Sequence, residues 1–217
     1  MREVLSQPCV VQVRDAAASA GLRLQARYSP GEHGGAVVAP PHPLYGGTLD
    51  NPVALACARG LHHAGLATLV FNYRGVEGSE GKATEDLAAA VDDYAAALDH
   101  LAAQTQGPYF AAGYSFGAGT AVLRACSDAR VAGLVLIAPP IGMLRAEDLD
   151  AFAGPVLVIV GADDEFAPLP ELTAMLGSRP KCTLQVLRNV DHFFHFGGLR
   201  ELDQRVCAHV SAWLTRA

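Results

Sequence analysis

The sequence predicts an α/β fold with a mostly parallel central sheet, an antiparallel N-terminal hairpin and helices on both faces. Two observations lead to this prediction. From residue 36 onward, strand-like and helix-like segments alternate along the chain. The strand-like segments are continuous apolar runs, which is typical of parallel strands that are buried on both sides. We expect the 217 residues to form one domain, residues 1–217, with its ligand site at the carboxyl ends of the strands.

The N-terminal part of the chain supplies the hairpin. Val10–Val13 and Leu22–Tyr28 alternate apolar and polar residues with a period of two, which predicts two antiparallel strands. Ala36–Ala39 is a short apolar run and predicts the first fully buried strand. Asn51 followed by Pro52 is a typical helix start, so we expect a helix that runs to about residue 64.

The remaining predicted elements mostly alternate between helix and strand. Thr84 is expected to begin a long helix that ends near Gln104, with Leu87 on its apolar face. Only residues 139–154 separate two of the later strands, too few for a cap domain, so we expect an open site. The other predicted strands are 67–71, a short strand after residue 108, 133–137, 156–160 and 182–187. The other predicted helices are one from about residue 116, one near 169–177 and one near 199–215.

Composition and charge narrow the range of partners. The net charge is −6 with no basic tract, which argues against a nucleic-acid partner. No apolar run reaches the roughly 18 residues of a membrane span, and Met1–Pro8 lacks the apolar core of a signal peptide. We therefore expect a cytoplasmic protein with no membrane partner. The five cysteines are scattered without C-x-x-C spacing, which favours reduced thiols over a disulfide or zinc framework.

The segment from Pro108 to Val122 carries the strongest chemical signal. Within it, Gly113–Gly117 matches G-x-S-x-G, the nucleophile elbow, in which a tight turn between a strand and a helix exposes a serine hydroxyl. The helix that follows directs backbone N–H groups and the positive end of its dipole towards that serine, Ser115. Because about one glycine-rich chain in ten would contain this pattern by chance, the motif needs support from other residues.

A nucleophilic serine needs a base, and the base needs an acid that orients it. In folds of this type the acid and then the histidine follow the serine along the chain. Asp163, Asp164 and Glu165 come directly after a predicted strand, and their position alone leaves open which of them acts, or whether they only cap the next helix. His192 and His195 both follow the last predicted strand, and we favour His192 because it lies closer to the strand end.

An oxyanion hole requires two backbone N–H donors. The residue after the nucleophile, Phe116, should supply the first donor. The second should come from the loop at residues 40–46, where the three prolines have no N–H. Leu44 is therefore the expected second donor, with Tyr45 as the less favoured alternative, unless this loop is only a stiff turn before Asn51.

Five motifs occur in order along the chain and together resemble one known family. They are Pro-Pro-His-Pro-Leu-Tyr-Gly-Gly-Thr from Pro40 towards Asn51, the glycine-rich loop from Phe71 to Gly81, the elbow, Ala-Pro-Pro at 138–140, and Asp-His-Phe-Phe at 191–194. The chain resembles the α/β-hydrolases over essentially its whole length, and within them the small lidless dienelactone-hydrolase-like group of bacterial serine hydrolases.

This resemblance implies a catalytic triad of Ser115, Asp164 and His192, with Asp164 selected because the family pattern G-x-x-D-x-x-x-P runs here from Gly161 to Pro168. It also places Leu44 at the second oxyanion donor. Two residues depart from the family pattern. Pro40 replaces a histidine and is expected to stiffen or narrow one wall of the site, and Glu77 replaces a glycine and is expected only to add surface charge.

The predicted function is hydrolysis of a small carboxylic ester or thioester through an acyl-enzyme, with no metal or cofactor. Tyr45, Tyr114 and Phe193 are predicted substrate contacts, and Phe166 and Phe194 could complete an apolar rim. The alternatives are an acyl-thioesterase or acyltransferase and, from another class, a binding or scaffold protein on a hydrolase fold. A last residue of interest, Arg74, could bind a substrate carboxylate, but we favour a structural role in tying its loop.

Overall fold

The computed structural model describes residues 6–14, 21–177, 179–195 and 197–215. Residues 1–5 lie outside the described residues, as do residues 15–20 between the first two strands of the predicted hairpin. The described strands are β1 (Gln7–Val13), β2 (Leu22–Ser29), β3 (Gly35–Ala39), β4 (Ala67–Phe71), β5 (Tyr109–Tyr114), β6 (Val131–Ile137), β7 (Val156–Gly161) and β8 (Cys182–Leu187).

These strands form one sheet in the order β1-β2-β4-β3-β5-β6-β7-β8. The β1 and β2 strands pair antiparallel, and β2 pairs antiparallel with β4. From β4 across to β8 every pairing is parallel. The predicted mostly parallel sheet with an antiparallel N-terminal hairpin is therefore confirmed. The strands β3 and β5 lie at the centre, where β3 leads to the 40–46 loop and β5 leads to Ser115.

Helices cover both faces of the sheet. One apolar cluster joins the sheet to α1 (Pro52–His63) and α6 (Leu199–Leu214). A second cluster, on the opposite face, joins it to α2 (Leu87–Gln104), α3 (Phe116–Ser127), α4 (Ala146–Ala151) and α5 (Leu169–Leu176). Among the described helices, none is long and apolar enough to cross a membrane.

Burial on both faces explains why the central strands are apolar without alternation. In β6, Leu134 and Leu136 belong to the cluster beneath α2 and α3, whereas Val135 and Ile137 belong to the cluster beneath α1 and α6. Successive side chains of a strand point to opposite faces, so a strand between two helical layers needs an apolar residue at every position.

Two helices differ from the prediction. The α2 helix begins at Leu87, three residues after Thr84, because the Asp86 side chain accepts a hydrogen bond from Ala88 N–H and caps the helix. Leu87 itself is 39% exposed, so the apolar face begins later than expected. The α4 helix was not predicted. It lies in the short segment between β6 and β7, which forms no separate cap domain, as expected.

A buried tyrosine of α2 ties the two strands that lead to the site. The Tyr94 hydroxyl accepts a hydrogen bond from Ala112 N–H at 2.8 Å and lies 2.8 Å from the Val37 carbonyl oxygen. It therefore bridges β5 and β3 in the middle of the sheet. Burial raises the pKa of this phenol well above its usual value, so the hydroxyl keeps its proton and can donate as well as accept.

Candidate active site

Ser115 occupies a strained turn between β5 and α3. Its φ is 54° and its ψ is −118°, a left-handed conformation that costs energy for a residue with a side chain. The two flanking glycines make the turn possible. A Cβ on Gly113 would lie 2.1 Å from the carbonyl oxygen of Gly117, and one on Gly117 would lie 2.4 Å from the carbonyl oxygen of Ala39. The G-x-S-x-G pattern is thus required by close backbone contacts.

The three residues of the predicted triad lie together. The Oγ of Ser115 is 3.0 Å from Nε2 of His192. On the other side of the ring, Nδ1 of His192 is 2.9 Å from Oδ2 and 3.0 Å from Oδ1 of Asp164. Since a carboxylate can only accept, Nδ1 carries the proton and Nε2 is free to accept the hydroxyl proton of Ser115. Both Asp164 and His192 are buried.

Backbone donors select Asp164 among the three acidic residues after β7. Its Oδ1 accepts hydrogen bonds from Phe166 N–H at 2.9 Å and from Ala167 N–H at 3.0 Å. These bonds fix the carboxylate in the plane that reaches His192. Asp163 and Glu165 are exposed to solvent. Of the three acidic residues, Asp164 is thus the one that the structure places against His192.

Tyr114 does not lie at the surface of the site, where a predicted substrate contact would have to be. It is only 3% exposed, and its hydroxyl donates a hydrogen bond to the carbonyl oxygen of His192 at 2.9 Å. Burial raises the pKa of this phenol, which keeps the proton that the bond requires. Phe194 is also buried and packs edge-on against Tyr114. Both residues therefore hold the His192 loop from below, a role that the sequence analysis missed.

The other aromatic residues predicted at the site are exposed, and Phe166 and Phe193 lie beside His192. The Phe166 ring lies 4.6 Å from the His192 ring, and the Phe193 ring lies 5.2 Å from it, measured between centroids. Tyr45 is 84% exposed on the opposite loop. We call Tyr45, Phe166 and Phe193 the apolar rim. The second candidate base, His195, is exposed and lies 2.7 Å from Asp191 through its Nδ1, whereas the hydroxyl of Ser115 lies 3.0 Å from Nε2 of His192.

The two predicted oxyanion donors lie on neighbouring segments. Phe116 is the first residue of α3, where backbone N–H groups have no partner inside the helix. Leu44 lies in a 3-10 turn, Pro43–Tyr45, and its N–H donates to Nδ1 of His42 at 3.2 Å. The alternative donor, Tyr45 N–H, donates to the His42 carbonyl oxygen at 3.1 Å. The structure thus reveals a histidine partner for Leu44 that the sequence analysis did not consider.

Polar side chains hold the glycine-rich loop that follows β4. Arg74 bonds to Asp93 of α2 through its guanidinium, at 2.7 Å from Nη2 to Oδ1, which agrees with the structural role that we favoured. Glu77 has a φ of 47°, which explains the family's glycine, and its carboxylate accepts a hydrogen bond from the buried Asn72 amide at 2.8 Å. Glu77 therefore does more than add surface charge.

Within the described ranges, no group of three or more His, Cys, Asp or Glu side chains is placed to hold a metal ion.

A nucleophile elbow at the end of a central strand, within a mostly parallel sheet covered by helices, defines the class of α/β-hydrolases. Comparison with known families agrees. A family model described as an alpha/beta hydrolase domain matches residues 45–212. The chain belongs to the α/β-hydrolase family.

Several solved structures are similar to the chain over nearly all of its length. An α/β serine hydrolase homologue from Coxiella burnetii is 27% identical, with a TM-score of 0.79 over 94% of this chain and 96% of the other. A lidless α/β serine hydrolase from Xanthomonas campestris is 26% identical, with a TM-score of 0.80 over 96% and 94%. An uncharacterized protein of Rickettsia prowazekii is 27% identical over 74% of this chain and 72% of its own. The resemblance to the small lidless hydrolases is confirmed, and these relatives support hydrolase activity.

Proposed function

We propose that the protein is a serine hydrolase that cleaves carboxylic esters or thioesters of small acyl groups. Ser115 is the nucleophile, His192 the general base and Asp164 the residue that orients the base. One observation carries this proposal. It is the continuous chain of contacts from the Ser115 hydroxyl through both ring nitrogens of His192 to the Asp164 carboxylate, with distances of 3.0 and 2.9 Å. Such a chain activates an otherwise weak alcohol nucleophile.

In the proposed reaction, the Ser115 oxygen attacks the substrate carbonyl while its proton passes to Nε2 of His192. Asp164 stabilises the imidazolium that forms. The negative charge on the carbonyl oxygen is held by the N–H groups of Phe116 and Leu44, each of which is expected to contribute a factor of about 10²–10³ to kcat. The carbon–oxygen or carbon–sulfur bond then breaks, and His192 gives its proton to the leaving group. Water activated by His192 releases the acyl group and restores Ser115.

The surroundings of the triad favour neutral substrates with an apolar portion. The apolar rim offers aromatic surface beside Ser115, and no cap domain covers it. The exposed carboxylates of Asp163 and Glu165 flank the Phe166 side of the site, and the chain carries a net charge of −6. Acyl-CoA thioesters carry several negative phosphate charges, so we expect these carboxylates to disfavour them relative to neutral esters.

A matched pair of substrates tests the proposal. p-Nitrophenyl butyrate and butyryl-CoA carry the same acyl group, and we expect measurable turnover of the first and a lower kcat/KM for the second. Ser115→Ala, the matched control, should abolish turnover of both, because alanine has no nucleophilic oxygen. A wild-type protein that hydrolyses neither substrate would contradict the proposal and favour a binding role. Faster turnover of butyryl-CoA would contradict the ester preference alone.

A further inference from the structure

His42 occupies the turn between β3 and α1 and organises it through three hydrogen bonds. Its Nδ1 accepts from Leu44 N–H at 3.2 Å. Its carbonyl oxygen accepts from Tyr45 N–H at 3.1 Å and from Gly47 N–H at 3.0 Å. The side chain of His42 is therefore the acceptor that holds the Leu44 N–H.

The same imidazole also contacts the elbow. The His42 ring lies edge-on to the Phe116 ring, with 4.7 Å between centroids, and its other neighbour is the Tyr45 ring at 4.5 Å. His42 therefore touches both residues whose backbone N–H groups are the proposed oxyanion donors, Leu44 by a hydrogen bond and Phe116 by ring packing. It links two segments that are far apart in sequence and must be placed accurately relative to each other.

The hydrogen bond determines the protonation state of the ring. Nδ1 can accept from Leu44 N–H only if the ring is neutral and carries its proton on Nε2. Partial burial lowers the pKa of His42, against a smaller opposing effect of Glu85, and this favours the neutral ring near neutral pH.

We propose that His42 is a positioning residue of the oxyanion hole, whose neutral ring holds the Leu44 N–H at a set place relative to the Phe116 N–H. The inference rests on the proposed function. In the free protein, the bond to Nδ1 holds the turn, and with it the Leu44 N–H, in one conformation. The tetrahedral oxyanion then shares this donor with Nδ1 as a second, charged acceptor, and hydrogen bonds to charged acceptors are roughly twice as strong as neutral ones. Because the bond to Nδ1 keeps the turn ordered, the N–H needs no rearrangement when the charge develops.

Three variants separate the effect of the Nδ1 hydrogen-bond acceptor from the effect of ring packing against Phe116. His42→Ala removes both and is expected to lower kcat on p-nitrophenyl butyrate by about 10- to 100-fold with KM changed less than about threefold, since the oxyanion exists only in the transition state. His42→Phe keeps a ring against Phe116 but has no acceptor, and it should resemble His42→Ala. His42→Asn offers a side-chain oxygen that can accept from the N–H two residues on, so it should recover most of the lost kcat.

Two controls keep the test decisive. Thermal melting of each variant excludes global unfolding. A long-range ¹H–¹⁵N correlation spectrum reads the tautomer of His42 without any substrate, and we expect the proton on Nε2. A folded His42→Ala with a kcat within about twofold of wild type would overturn the proposal. The proposal would also be overturned if His42→Phe kept the wild-type kcat while His42→Asn lost it, or if the spectrum placed the proton on Nδ1. Failure of the proposed function is distinguishable, because the wild type would then turn over neither p-nitrophenyl butyrate nor butyryl-CoA.

Discussion

Replacing His192 with alanine is expected to lower kcat on a small ester by about three orders of magnitude or more, leaving a residual rate from binding and the oxyanion donors. The physical reason is the contact of 3.0 Å between the Ser115 hydroxyl and Nε2 of His192. Without it the serine keeps its proton and remains a weak nucleophile, and the leaving group has no proton donor. KM should change little, because the imidazole acts mainly in the transition state. Steady-state kinetics on p-nitrophenyl butyrate measures both constants.

His195 provides the matched control, since it lies three residues away on the same loop. Its side chain is exposed and bonds to Asp191 rather than to Ser115. We expect His195→Ala to keep kcat within about threefold of wild type. The assignment of the base would be wrong if His195→Ala showed the large loss and His192→Ala did not.

Replacing Arg74 with alanine is expected to lower the free energy of unfolding by about 3–5 kcal/mol near neutral pH. Arg74 pairs with Asp93 at 2.7 Å, and the Asp93 side chain is fully buried. Burial already raises the pKa of this carboxyl above its ordinary value, while the hydrogen bonds and charge of Arg74 oppose the shift. The variant would leave a buried carboxylate without its guanidinium. Urea denaturation followed by circular dichroism measures the loss.

An exposed ion pair of the same length is the control. Arg23 and Glu80 also lie 2.7 Å apart, but the Arg23 side chain is 64% exposed, so Arg23→Ala should destabilise the protein far less than Arg74→Ala. The pH dependence gives a second check. Because loss of Arg74 raises the pKa of Asp93 further, the carboxyl is neutralised as the pH falls, and the difference between wild type and Arg74→Ala should shrink. Equal losses for the two arginine variants would contradict the account.

Local patterns were sufficient to predict most of the fold. Apolar runs such as Val156–Val160 predict strands buried on both faces, and the antiparallel hairpin follows from the alternation in Leu22–Tyr28. Helix starts are harder to predict, because they depend on which of several polar residues accepts the first N–H. Thr84 and Asp86 are both typical caps, and only the structure shows that Asp86 acts as the cap of α2.

The residues of the site fall into the same two groups, those that a sequence pattern predicts and those that only the structure reveals. The order of serine, acid and histidine along the chain is a sequence pattern, and it led to Ser115, to the acidic residues 163–165 and to His192. The choice of Asp164 among those acidic residues came from the resemblance to a known family. The roles of Tyr114 and His42 depend on contacts that a pattern does not contain. Tyr114 reaches the backbone of a residue 78 positions later, and its aromatic side chain suggested a substrate contact instead. His42, in the loop after β3, contacts Phe116, the first residue of α3.

The central claim, that Ser115 is the nucleophile, is tested most directly by mapping a covalent adduct. A fluorophosphonate forms a phosphorus–oxygen bond with an activated serine and releases fluoride. We expect intact-mass spectrometry of the folded wild type to show one added phosphonyl group, and peptide mapping to locate it on Ser115. Ser115→Ala should gain no mass. An unlabelled wild type, or a Ser115→Ala variant that is labelled as fast as the wild type, would contradict the account.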